Sequence, residues 1–335
     1  MIRWLTILLL IVGCDSTVDS ENIHVCTNLT YIDQIETSLC NIDLLTAIEL
    51  SSNDVDHLHN LLFEIINDST KIRELGNLVI DDRIEYDSLK YKIFFSEYTG
   101  EYEQNNVYIN YIYSQDGISW RISDRHIIDR SLEDPYVILY ENIYYLFAED
   151  KSDVPYKNIR RYHSSNAIEW IDDGDILDIS PNNYYENRDV SSPIVVINND
   201  QWYMYYEGRG EDWLGNINIA RSDDGLYWIK MCDTPVYIPT IDETDWDSFG
   251  AVPDDIFMIN DIYYMLYHGL DQENNWHMGI LYSNDLYSWL RVNDTTFDNL
   301  NEVMYFPIDN TKSFIYIKDN QSIFSFEIEE LNCET

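Results

Sequence analysis

Asp134-Pro135-Tyr136-Val137-Ile138-Leu139-Tyr140-Glu141-Asn142-Ile143-Tyr144-Tyr145-Leu146-Phe147-Ala148-Glu149 reads as a complete β-hairpin with a carboxylate at each end. Two runs rich in β-branched and aromatic residues meet at Glu141-Asn142, a polar pair suited to a tight turn, which sets Asp134 roughly opposite Glu149 at one rim. The unit then repeats. Ser192-Pro193 opens a second copy that turns near Asn199-Asp200 and closes on Trp202-Tyr203-Met204-Tyr205-Tyr206-Glu207-Gly208. A third runs from Val252-Pro253 through Asn260-Asp261 to Tyr263-Tyr264-Met265-Leu266-Tyr267-His268-Gly269, and a fainter one joins Asp82 to Tyr91 through Glu97. Aligned on the second strand, the rim position reads Glu97, Glu149, Glu207, His268.

Each hairpin leads to a further strand that closes on a second signature: Ser114-Gln115-Asp116 before Trp120, Ser164-Ser165-Asn166 before Trp170, Ser222-Asp223-Asp224 before Trp228, and Ser283-Asn284-Asp285 before Trp289. The polar residues suit a turn, and the indole supplies apolar surface for packing between units. The tryptophans recur about every 50 to 60 residues, room for four short strands and their loops, which is the size of a propeller blade. Glu302-Val303-Met304-Tyr305-Phe306-Pro307, Ser313-Phe314-Ile315-Tyr316-Ile317 and Ser322 to Ile328 supply one more unit. The expected fold is all-β, a five-bladed β-propeller over residues 76–335, its ring completed by an N-terminal strand at Ile23-Cys26 or Asn77-Ile80.

Residues 1–13 read as a signal peptide: Met1-Ile2-Arg3, then an apolar run from Trp4 to Val12 too short to span a bilayer. Ile11-Val12-Gly13-Cys14 resembles a bacterial lipobox, which implies cleavage before a lipidated Cys14 and an exported lipoprotein on the periplasmic or extracellular side, touching the membrane through that lipid alone. Residues 14–75 read as a tether and a short irregular extension with a helix after Ser51-Ser52-Asn53-Asp54. Cys26, Cys40, Cys232 and Cys333 remain, an even number that permits disulfides in an oxidising compartment.

The sequence holds 20 basic against 61 acidic residues, a net charge of -41. That excludes nucleic acid as a partner, because phosphate backbones need a positive surface. It fits a neutral ligand, and 28 tyrosines suit a surface that stacks on sugar rings as well as strand packing.

Together, Asp134-Pro135, the Ser-Pro hairpin ending in Tyr-Met-Tyr-Tyr-Glu-Gly, the Ser-x-Asp-x-x-x-Trp closures, and Thr234-Pro235-Val236 followed by Asp245-Trp246-Asp247 resemble the five-bladed propeller glycosidases of the arabinanase, levansucrase and invertase group. Glycoside hydrolase families 43 and 32 and the mannoside phosphorylases of family 130 share that fold. The resemblance spans Gly76 to Glu330. It implies a funnel in which acids from separate blades converge, one carboxyl protonated for the leaving oxygen and one ionised to activate water or attack carbon. Residue by residue, it implies Asp82 as the first-blade base or nucleophile, with Asp81 beside it, and Asp134 as the second-blade aspartate. The third-blade glutamate, two residues before a proline, falls on Ser191, so the missing acid comes from Glu207, Asp189 or Glu186, or the chemistry is lost.

Glu149, Arg188, Trp246 and His268 complete the expected substrate surface. No organic cofactor and no metal are expected at the reacting centre, although some relatives place a cation in the channel, and the protein is expected to be a monomer. The leading expectation is a lipid-anchored hydrolase of a neutral oligo- or polysaccharide. A non-catalytic glycan-binding lipoprotein stands second, and a phosphorylase using Arg188, Arg209 and Arg221 third.

Overall fold

The computed structural model describes residues 48–49, 72–83, 90–99, 106–116, 119–123, 126–152, 156–239, 245–259, 261–292, 297–298, 302–309, 312–318 and 323–327. Strand β1 (Ile48–Glu49) precedes the first blade, built in the order β2 (Ile72–Ile80), β3 (Tyr91–Thr99), β4 (Asn106–Ser114) and β5 (Trp120–Ile122). The next three blades repeat that meander. They are β6 (Leu132–Tyr140), β7 (Ile143–Asp150), β8 (Asn158–Ser164) and β9 (Ile171–Leu177); then β10 (Asp189–Asn198), β11 (Gln201–Arg209), β12 (Gly215–Ser222) and β13 (Ile229–Lys230); then β14 (Gly250–Ile259), β15 (Ile262–Leu270), β16 (Trp276–Ser283) and β17 (Leu290–Arg291), with β18 (Phe297–Asp298) also on β16. β19 (Glu302–Asp309), β20 (Lys312–Lys318) and β21 (Ile323–Glu327) form a further antiparallel sheet, and β1 pairs with β21. The result is an all-β propeller.

The hairpins follow from their turns. Glu141 and Asn142 have φ of 49° and 66°, Asn199 and Asp200 have 50° and 61°, the two positive values that let a two-residue turn match the twist of its strands. The first strands of the four blades line up around an axis, β2 against β6, β6 against β10 and β10 against β14, and β19 of the further sheet meets both β14 and β2. Between the first two blades, the Asn77 side-chain amide donates to Val137 O (2.9 Å) and its oxygen accepts from Val137 N (2.8 Å). The backbones come close there: a Cβ on Gly76 would lie 2.0 Å from Pro135 O.

The tryptophan signature is the cement expected of it. Trp170 meets Phe94 edge-on at 5.9 Å, Trp228 meets Phe147 at 6.0 Å and Trp289 meets Tyr205 at 5.3 Å, so each indole packs on the second strand of the preceding blade. The Ser and Asp or Asn side chains ahead of it hold the turn. Ser222 Oγ accepts from Gly225 N (2.9 Å), Asp224 Oδ1 accepts from Leu226 N and Tyr227 N (2.8 and 3.0 Å), and Trp228 Nε1 donates back to Gly225 O (3.0 Å).

Several expectations need correction. β2 begins at Ile72, upstream of the boundary set at Gly76, and Asn77–Ile80 lies inside this first strand instead of closing the ring. The N-terminal strand that joins the C-terminal sheet is Ile48–Glu49. Bulges also shift the rim by one residue: Glu149 pairs with Glu133, not Asp134, and Glu207 pairs with Ser191, not Ser192, because Asp134-Pro135 and Ser192-Pro193 are the unpaired extra residues. The signal peptide, Cys14, the helix after Ser51 and the strand at Ile23-Cys26 lie outside the described residues. Cys232 is disulfide-bonded, and its partner lies there too.

Candidate active site

The start of each blade's first strand and the end of its second share one end of the propeller. Proline after Asp134 and after Ser192 removes a ladder donor and forces a bulge, and both residues sit at positive φ, 49° and 48°. The bulge turns their side chains toward the axis. There Asp134, Ser192, Asp254 and His268 line a small well with Gly76, Pro135, Pro193 and Pro253, about 40 Å³ in volume. Ser192 Oγ donates to Asp134 Oδ2 at 2.6 Å, and His268 Nδ1 lies 2.6 Å from Asp254 Oδ1. Asp254 Oδ2 is buried with no hydrogen-bond partner among the described residues.

Behind the well lies a layer of paired charge. Lys157 Nζ reaches Glu149 Oε1 at 2.8 Å, Lys151 Nζ reaches Glu133 at 2.7 Å, and Arg209 Nε reaches Glu207 Oε1 at 2.7 Å while Ser191 Oγ donates to Glu207 Oε2 at 2.8 Å. Burial opposes the charge on Lys157, but attraction to Glu149, and after it to Glu207 and Asp134, outweighs that and raises its pKa. Of these acids, Glu149 and Asp134 share the one ammonium of Lys157. Burial pushes Glu149 up to about 7 despite Lys157, with Asp134 and Glu133 pushing the same way. Burial likewise raises Asp134, against its bond from Ser192, and Glu133 adds to it. For Asp254, burial raises the pKa and His268 works against it. Burial opposes a charged His268, but Asp254, Glu207 and Asp134 prevail and lift its pKa above the ordinary value.

The expected site residues distribute unequally. Asp134 and His268 line the well, and Glu149 lies behind them with a relative exposure of 1%. Glu207 has both oxygens engaged by Ser191 and Arg209, so it braces the rim and does not line the well. Asp189 is buried, accepts from Lys157 N at 3.2 Å and ties the second blade to the third. Glu186 is fixed by Tyr206 and Lys230. Arg188 stacks on Trp213 with its guanidinium carbon 3.5 Å from the ring centroid. Trp246 packs over Tyr267 at 5.4 Å and fills the space above Gly269 and Gly279, so it is inter-strand packing and no platform at the well.

Asp82 is not in the cluster. It follows β2, at the turn end of the blade, where its largely exposed side chain pairs with Lys90 at 2.8 Å. Its neighbour Arg83 donates to Asn142 O in the turn of the next hairpin. At about 3.3 Å per strand residue, that turn is roughly 25 Å from Asp134. The pairing of Ile72 with Glu97 shows why: the rim of the first blade falls at Arg73-Glu74, ahead of the residues that the resemblance aligned.

Sequence reasoning missed Asp254, Lys157 and Trp213. Asp254 carried a signal: it stands at the bulge position that Pro135 and Pro193 hold in the preceding blades, one residue after Pro253. The other two sit outside the repeat. Among the described residues no group of three or more His, Cys, Asp or Glu side chains is placed to hold a metal ion, so the channel cation finds no such set there.

No protein-family model matches the chain, and no curated protein matches it by sequence. Solved structures do. A glycosyl hydrolase from Bacteroides ovatus superposes with a TM-score of 0.57 at 13% identity, covering 77% of this chain and 84% of that one. A family 117 glycoside hydrolase from the marine bacterium Zobellia galactanivorans gives 0.59 at 13% identity over 87% and 92%, and a β-1,2-mannobiose phosphorylase from Listeria innocua gives 0.57 at 14% over 76% and 88%. The likeness carries the fold. The chain is a propeller whose structural neighbours are glycoside hydrolases and a glycoside phosphorylase.

Proposed function

We propose that the protein cleaves glycosidic bonds, with Asp134 and Asp254 as the two carboxyl groups facing the sugar. The observation that carries this reading is the well itself: two acids from separate blades, both desolvated, in one concave site on a fold shared with glycosidases. Asp134, whose pKa is raised by burial and by the negative charge of Glu133, protonates the leaving oxygen. Asp254, paired with His268 across the well, is the group placed to activate water or attack the anomeric carbon.

The β19–β21 sheet is a fifth blade in this reading, closed by β1, a view supported by the contact of β19 with both β14 and β2. Export as a Cys14-lipidated protein is part of the same proposal. The Cys232 disulfide supports an oxidising compartment.

Screening the purified protein against aryl arabinosides, xylosides, mannosides and fructans, with and without inorganic phosphate, tests the function. Hydrolysis that Asp134→Asn and Asp254→Asn each reduce by about 10²- to 10⁴-fold is the expected outcome. Oligosaccharide binding without turnover would assign the protein to glycan binding instead, the reading that Ser191 favours by standing where relatives carry a glutamate. Turnover that requires phosphate would make it a phosphorylase.

A further inference from the structure

Beside the acidic well, a second cavity opens between the third and fourth blades. It has a volume of about 340 Å³ and is lined by Arg209, Trp213, Phe249, Gly250, Val252, Leu270, Asn274 and Trp276. The linings of the two sites touch. Val252 immediately precedes Pro253-Asp254 on β14, Trp276 meets the His268 ring edge-on at 4.7 Å, and Arg209 is the residue that holds Glu207.

The walls are aromatic and aliphatic, the pattern that accepts the apolar face of a sugar ring, and the volume suits a ligand of that size. Trp213 is presented deliberately. It sits at φ 65° in the loop after β11, is 44% exposed, and is held there by its N–H to Gly210 O at 3.1 Å and by Tyr184 OH clamping Asp212 at 2.6 Å.

The polar side chains lining this cleft are the cationic Arg209 and the neutral Asn274, and two more cations stand close by. Arg209 spends Nε on Glu207, and no other described residue forms an ion pair with it, so its two terminal nitrogens remain for a ligand. Arg188 covers one face of Trp213, its Nε is buried with no hydrogen-bond partner among the described residues, and its nearest carboxylate, Asp189, is 4.0 Å away. Lys157 lies across the rim on Glu149. Against a whole-chain charge of -41, this corner matches each carboxylate named here with a cation, and sets those cations beside stacking surfaces.

We infer that the cleft between the third and fourth blades binds a sugar that carries a carboxylate, with Arg209 taking the carboxylate and Trp213 and Trp276 the ring. The inference rests on the proposed glycosidase reading and names its substrate class: a uronate-bearing glycan, in place of the neutral one that the overall charge suggested. The distant acidic residues do not forbid it, because at physiological salt charges more than about 8 Å away are largely screened and the local pairs dominate. A planar guanidinium fork matches a carboxylate, and a bare phosphate would leave the aromatic walls unused.

The test is titration of the full-length protein with galacturonic and glucuronic acids, their methyl esters, galactose, glucose and inorganic phosphate, followed by tryptophan fluorescence. The free uronates should bind, their methyl esters and the neutral sugars should bind roughly 10- to 100-fold more weakly, and Arg209→Gln should erase that difference. Because Arg209→Gln also leaves Glu207 buried without its cation, Trp213→Leu provides a second check on an exposed loop, and it should weaken uronate binding without changing the unfolding midpoint. Equal binding of acid and ester, phosphate competing as well as a uronate, or no uronate binding would each overturn the inference. Hydrolysis of a neutral glycoside with no uronate preference would sink this inference and leave the glycosidase reading intact; uronate binding with no cleavage of any glycan would do the reverse.

Discussion

The propeller has two buried clusters of charge at opposite ends of the same strands, and they solve the same problem in opposite ways. At the turn end, Asp81 receives Arg83 Nε at 2.8 Å and Nη2 at 2.7 Å, Arg83 N at 3.1 Å and the Tyr144 hydroxyl, while Lys92 donates to Tyr144 OH at 2.7 Å. Burial alone would raise the Asp81 pKa, but these bonds bring it down to about 2. At the rim, deeper burial wins, and Glu149 rises to about 7. Depth of burial and donor supply together make the difference. One carboxylate with two cations becomes a structural rivet joining the first and second blades. Glu149 and Asp134, which share Lys157, have pKa values raised by burial instead.

The comparison breaks most decisively by removing one acid from each end. Asp134→Asn should cost about 10²- to 10⁴-fold in turnover and leave the urea midpoint nearly unchanged. Asp81→Asn should do the opposite, destabilising by about 3–5 kcal/mol because Lys92 and Arg83 lose the buried charge that they surround, with turnover per folded molecule preserved. Equal losses of stability in the two variants would mean that the rim is only another rivet.

The pH dependence of stability sharpens the contrast, since the two shifts have opposite signs. Asp81 is depressed from 3.8 to about 2, so the unfolded chain binds the extra proton in that window; its contribution is full above pH 3.8 and is lost as pH falls through about 2. Glu149 is raised from 4.5 to about 7, so the folded chain holds the extra proton, and stability falls as pH rises from 4.5 through about 7. Urea unfolding across pH 2–8 should therefore show a dome. Glu149→Gln should flatten its neutral side and Asp81→Asn its acid side.

The blades were legible because their determinants are local: Glu141-Asn142 and Asn199-Asp200 make their own turns, and each Ser-x-Asp/Asn signature caps itself. The rim was legible only to within one residue. Strand pairing can be read from alternation, but the extra residues at Asp134-Pro135 and Ser192-Pro193 shift the partner on the opposite strand, which is why Glu149 faces Glu133. β2 has no proline and two register shifts, so nothing in its sequence marked Arg73-Glu74 as its rim, and Asp82 was aligned to the wrong end. Asp189 and Glu207 had the expected charge in the expected place, but their neighbours Lys157 and Arg209 decide what that charge does. Lys157 and Asp189 are 32 residues apart, and although Arg209 is only two residues from Glu207, the alternation of a strand does not say that its side chain folds back onto that acid.

A smaller effect separates blades that share one turn. The residue three places after the signature serine sits at positive φ in each described case, Ala167 at 59°, Gly225 at 68° and Leu286 at 69°. Two blades therefore tolerate a side chain there. In the third, a Cβ on Gly225 would lie 2.7 Å from Trp202 Cε3 and Cζ3, so the glycine answers to Trp202 and not to the turn. Gly225→Ala should cost about 1–3 kcal/mol by forcing that indole aside. A cost near zero would mean that the turn end repacks freely.

The mildest change tests whether the turn end is as indifferent to chemistry as the comparison requires. Ser222 Oγ accepts from the buried Gly225 N–H and donates to Asp224 Oδ1 at 3.0 Å, so Ser222→Ala strands one donor and loosens the carboxylate that holds Leu226 N and Tyr227 N. Asp224 itself is depressed below the ordinary aspartate range: burial would raise it, but those backbone donors and Ser222 outweigh burial. Each single substitution, Ser222→Ala or Asp224→Ala, should cost about 1 kcal/mol. Because the two side chains bond each other, the double variant should cost less than the sum, the non-additivity of groups in one network. Strict additivity would show two independent hydrogen bonds in place of one cap, and any change in turnover would tie this end of the blade to the rim after all.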